Sequence, residues 1–184
     1  MDRDKYNEKF TKFPYKTNIR EDGINNGGID LTKEPHRIDE IHEIHEIHEI
    51  HEIQDYPFMK KILLNINAKN QTYMTFGCDF GILNDNHSGY IDFSYRPDKI
   101  PADYTVIRNL DNDFYRYLSS LDLPWSAPGS PVDYAKNALR WEYSGLVVYD
   151  SPKYEKVSLW MRAKEYEALE WLATYVHDFL VDHH

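Results

Sequence analysis

Four histidines and four glutamates, spaced by isoleucine, are the residues of this sequence that most openly invite chemistry. Between residues 41 and 53 the triplet Ile-His-Glu repeats without error, setting His42, His45, His48 and His51 beside Glu43, Glu46, Glu49 and Glu52. Imidazoles three apart on a helix are neighbours, and with carboxylates between them they form a donor set that would hold zinc or nickel. The spacing departs from the H-E-x-x-H pattern, in which the two histidines are four apart. Four clustered imidazoles would also gain charge together below about pH 6.5. A period of three nevertheless suits no regular element. On a helix the isoleucine stripe slips by about 60° per repeat, and on a strand isoleucine alternates between faces. The tract therefore reads first as a tandem expansion in a solvated leader, with a divalent metal as the one cofactor it would bind.

The other reactive residue types are scattered. Cys78 and His87 would make a thiol and a base, but Cys78 shares an apolar strand face with Met74 and Phe76, where a cysteine is inert. Asp79-Phe80-Gly81 matches a kinase triplet without the Gly-rich loop or catalytic segment that would accompany it. Asp79, Asp85, Asp92 and Asp98 have no metal-site spacing. There is no dinucleotide fingerprint, phosphate loop, nucleophile elbow or cysteine pair. No catalytic residue is assigned.

Contact chemistry is better represented. Trp125 lies between Pro124 and Pro128 with Gly129 close behind, where a large ring either plugs the fold or meets a partner. Exposed Trp, Tyr and Arg are favoured anchors at interfaces, which makes Trp125, Tyr95, Arg96 and Tyr134 the candidate partner-binding residues.

The elements that must position these residues lie after the leader. Residues 1–56 read as a flexible or loosely docked leader, with Lys5, Lys9, Lys12 and Lys16 at helical spacing and a loop at Asn25-Asn26-Gly27-Gly28. Residues 57–184 read as one α+β domain. Alternation through Ile62, Leu64 and Ile66 predicts a strand over residues 60–67, paired as a hairpin with residues 72–80. Residues 81–89 read as a polar loop, 90–95 as a third strand and 104–108 as a short fourth. Leu110, Phe114, Tyr117 and Leu121 mark a helix, and Ser130-Pro131 with Asp133 a capped second one. Strands are expected over 141–149 and 157–161, joined by a turn at 150–153. A long helix follows, with Tyr166, Leu169, Leu172, Val176 and Leu180 at its core. The expected architecture is an antiparallel sheet of five or six strands with two or three helices packed on one face.

Bulk properties narrow the function. The formal charge of −10 argues against nucleic acid or an anionic membrane as partner, and favours a basic protein. Cys78 is the only cysteine, so no internal disulfide forms and a cytoplasmic setting is expected. These features imply a cytosolic protein-binding module, in the form of an acidic inhibitor of a basic protein such as an immunity protein or antitoxin. A small-molecule or metal-responsive module built on the histidine-rich leader is the second reading, and an enzyme of unfamiliar type the third. Strand order and oligomeric state are not encoded in these patterns.

Overall fold

The computed structural model describes residues 1–4, 28–40, 56–126 and 128–182 of the chain, and within them Pro57 opens the first helix. Helix α1 spans Pro57–Ile66, where a strand was expected. The alternation of Ile62, Leu64 and Ile66 is incidental. The buried set is Met59, Ile62, Leu63 and Ile66, a stripe of period three to four, and proline at the first helical position is preset for a helix. Buried Asn67 then ties the helix end to the sheet. Its Nδ2 donates to Leu63 O at 2.8 Å and to Thr75 Oγ1 at 2.7 Å, and its Oδ1 accepts from Thr75 N at 3.0 Å.

The hairpin forms one step later than the sequence suggested. Strands β2 (Tyr73–Leu83) and β3 (Asn86–Tyr95) run through the stretch expected to be a loop and turn on two residues only. Those residues, Asn84 and Asp85, have φ of 50° and 59°, the left-handed pair that a tight hairpin requires and that Asn and Asp tolerate. Gly89 belongs to the strand for a different reason. A Cβ there would lie 2.3 Å from the Phe80 ring, so glycine is what lets that ring lie on the neighbouring strand.

The segment expected as a fourth strand is a 3-10 turn, Tyr104–Asn109, started by Asp103, whose side chain accepts from Thr105 N. It passes directly into α2, Leu110–Ser120, which buries Leu110, Phe114 and Leu118. Helix α3, Pro131–Ala138, has the anticipated cap, with the side chains of Ser130 and Asp133 each bonding the other's backbone N–H. It leads into β4, Leu139–Leu146, and β5, Tyr154–Ala163, and the last described element is α4, Tyr166–Asp182.

The fold is α+β, with one five-stranded sheet and four α-helices among the described residues. The fifth strand comes from the leader. Asp2–Arg3, strand β1, pairs in parallel with β4 and makes the sheet mixed, in the order β1-β4-β5-β3-β2. The inner face carries Phe80, Ile91, Phe93, Trp141 and Leu159. Phe114 of α2 meets Trp141 and Phe179 of α4, each with centroids 5.6 Å apart, and α4 buries Leu169, Leu172, Ala173, Val176, Phe179 and Leu180. Other described parts of the leader also join the core, through buried Ile29, Leu31 and Ile38. Asp30 accepts from the Tyr149 hydroxyl at 2.6 Å and from the Thr32 hydroxyl at 2.6 Å. The histidine tract lies outside the described residues.

The outer face of the sheet is polar yet largely covered. Lys156, 4% exposed, donates to Asp92 and to Ser158 Oγ at 2.8 Å, and Ser158 Oγ donates to Asp92 Oδ1 at 2.6 Å. Removing one member of such a buried pair strands the other. Asp92→Ala is expected to lower unfolding free energy by about 3 to 5 kcal/mol, while the joint replacement Asp92→Leu with Lys156→Met costs less. Chemical denaturation of the three variants checks the order.

The leader's anchor makes a second prediction. Burial alone would raise the Asp30 carboxyl, but hydrogen bonds from Thr32, Tyr149 and Lys33 outweigh it and hold the carboxyl below its ordinary range. A folded value below the unfolded one of about 3.9 gives stabilisation that is complete above that pH and is lost as pH falls through the folded value. Tyr149→Phe should cost about 1 kcal/mol near neutral pH and shrink the acid-side loss, as followed by urea melts across the acid range.

Candidate functional site

Trp125 leaves the end of α2 on a proline-bounded loop and lands on the helical layer. Its ring meets Trp171 of α4 at 5.5 Å and Tyr134 of α3 at 5.6 Å, and Trp171 in turn meets Tyr175 at 4.8 Å. All four rings are half-buried. Tyr134 and Trp171 close the group edge to face at 6.0 Å. The Trp125 indole N–H is buried without an acceptor among the described residues, and burial pushes the Tyr134 hydroxyl up from its ordinary value. Three separate segments thus contribute to one aromatic surface, each ring held by its neighbours at low entropic cost.

The surroundings of this surface are acidic. Positions four apart on a helix share a face, so Glu167, Trp171 and Tyr175 line up along α4, with Asp178 one turn further and Asp182 beyond it. Asp133 precedes Tyr134 on α3, and exposed Asp122 lies on the approach to Trp125. Asp178 and Asp182 lie close enough to Tyr117 to help burial raise its hydroxyl pKa.

Of the four residues expected to bind a partner, the structure brings Trp125 and Tyr134 together and places Tyr95 and Arg96 elsewhere. Tyr95 is 7% exposed and stacked on Tyr73 at 5.3 Å, with its hydroxyl raised mainly by burial. Arg96 donates to Ala68 O at 2.8 Å, fastening the corner between α1 and β2. Sequence reasoning did not single out Trp171 and Tyr175. Their spacing of four and their place at the rim of the last helix, next to Glu167 and Glu170, carried the signal.

The thiol–imidazole pairing has no geometry behind it. Cys78 opposes Ile91 and His87 opposes Ile82, four rungs apart on the same hairpin, and Cys78 is 4% exposed. His87 Nδ1 is instead 2.9 Å from the Tyr56 hydroxyl. His42, His45, His48 and His51 lie outside the described residues. Among the described residues, no three His, Cys, Asp or Glu side chains are grouped to hold a metal ion.

A second concave surface occupies one end of the sheet's outer face. The register sets Asp79, Tyr90, Trp160 and Arg140 side by side across four strands, with Ser88 beside Arg162 in the next row. They border a concavity of about 1000 Å³ that runs from the β2–β3 hairpin to the junction of α3 and β4. Trp160 is 41% exposed, and its Nε1 donates to Glu142 Oε2 at 3.1 Å. Glu142 also pairs with Arg140. This surface was not anticipated, because it exists only once the register is known.

Comparison with other proteins adds no relative: no protein-family model, curated protein or solved structure matches this chain.

Proposed function

We propose that the protein is a protein-binding module that grips a basic partner through the Trp125, Tyr134, Trp171 and Tyr175 surface. The convergence of these half-buried rings from three segments, inside an acidic margin, carries the reading. Clustered aromatics pre-positioned by mutual packing are what interface hot spots are made of. A Lys or Arg of the partner laid over Trp171 would gain from the ring's face and from Glu167 beside it. The formal charge of −10 supports the same partner at longer range, since an acidic surface speeds encounter with a basic one. An inhibitor of the immunity or antitoxin type, at work in the cytoplasm, is the form of module that these features fit. Among the described residues no helix is long and apolar enough to cross a membrane.

Trp171→Ala is expected to weaken the complex by about 2 kcal/mol or more, some 30-fold in Kd. Glu167→Lys should slow association by about tenfold at low salt and by less at high salt. Both follow from surface plasmon resonance on the partner recovered from the native cell, with circular dichroism showing that each variant folds. A folded Trp171→Ala protein that retains its partner at full strength overturns the proposal.

A further inference from the structure

The concave end of the outer sheet face is built differently from the aromatic surface on the helices, and its chemistry points to a different occupant. Trp160 is a large ring left two-fifths exposed and yet fixed in orientation, because its indole N–H is spent on Glu142, a carboxylate only 7% exposed. Tyr90 packs against one side of it, with centroids 4.8 Å apart. A ring held in place by its neighbours is a stacking platform that needs no ordering when a planar ligand arrives.

Charge at this end is balanced, in a chain whose formal charge is −10. Arg140 and Arg162 stand on the same face of adjacent strands, Arg140 directly opposite Trp160 and Arg162 two residues further along the strand of Trp160. Arg140 is neutralised by Glu142, whereas the Arg162 guanidinium has no ion pair among the described residues. Next to Arg162 in the register lies Ser88, whose hydroxyl is buried and lacks a hydrogen-bond partner among the described residues, an uncommon state that costs about 1 to 3 kcal/mol. At the far end of the Trp160 row stands Asp79, also without a side-chain partner among the described residues. The floor is kept open by glycine: Gly81, opposite Ser88, has nothing within 4 Å of the position its Cβ would take. A volume of about 1000 Å³ admits a ligand larger than a single ring.

We propose that this concavity binds a small planar aromatic molecule carrying an anionic group. The ring lies on the exposed face of Trp160, and the phosphate or carboxylate is taken by the fork of Arg162 with Ser88 donating its hydroxyl. Asp79 accepts from an amino or hydroxyl group at the opposite end of the ligand. The negative charge of the whole chain does not defeat this, since the field of distant carboxylates is screened within about 8 Å at physiological salt.

Two sources share this chemistry, nucleoside monophosphates and aromatic carboxylates, and two-dimensional NMR of the indole and arginine side-chain N–H groups separates them. The probes are AMP and indole-3-acetate, with adenosine as a ring without the anion and inorganic phosphate as the anion without a ring. The expected result is that AMP, indole-3-acetate or both shift the Trp160 and Arg162 resonances at least about tenfold more tightly than either control. Which of the two binds more tightly identifies the source. Arg162→Gln, an exposed change that leaves the fold intact, should reduce the charged probe to the level of adenosine, and Trp160→Ala should abolish both. The proposal is overturned if neither AMP nor indole-3-acetate binds more tightly than adenosine, if Arg162→Gln leaves binding of the charged probe unchanged, or if no probe perturbs Trp160 at about 10 mM, where even weak ligands of this size register.

Discussion

Phe114 is the contact on which the arrangement of the molecule depends. It is fully buried, and its ring touches Trp141 of the sheet and Phe179 of the last helix at the same 5.6 Å separation. One side chain of α2 therefore bridges the sheet and α4. Trp141 passes the constraint onward to Phe93 in the neighbouring hairpin. Interiors packed as densely as organic crystals transmit displacement, so a shift of Phe114 moves α4 as a body. Trp171 and Tyr175 travel with it, which makes the aromatic surface on the helices a consequence of packing some distance beneath it.

Periodicity made some elements legible and misread others for identifiable reasons. The final helix was visible because Leu169, Leu172, Val176 and Leu180 keep helical spacing without interruption, and Ser130, Pro131 and Asp133 spelled a helix start that the structure contains. The first helix was misread because three apolar residues at even spacing imitate a strand, and only the burial of Leu63 between them breaks the imitation. Asn84, Asp85 and Asn86 looked like the middle of a loop bounded by glycines. In fact those glycines are strand residues, one of them bare so that Phe80 can cross it. Strand β1 has two residues, too few for any period to register.

The candidate surfaces differ in legibility in the same way. Trp125 stood out through its loop setting and Tyr134 through its type, and both are local properties. That the two meet Trp171 depends on where two helices lie, a tertiary fact. Trp160, Arg140 and Arg162 lay in or near expected strands, but the row they form is created by register, which shifts a side chain to the opposite face with each single-residue slip. Nothing local distinguishes the correct pairing.

The parallel strand at the start of the chain has a bearing on how the protein comes into being. Asp2 and Arg3 find their partners at Glu142 and Tyr143, so this seam of the sheet joins segments far apart in the sequence. On the ribosome Asp2 and Arg3 stay without these partners until Glu142 and Tyr143 have emerged. Contacts between such distant positions are among the slowest to form, because closing the intervening loop precedes any gain from pairing. The sheet is thus sealed late, after its central strands have paired.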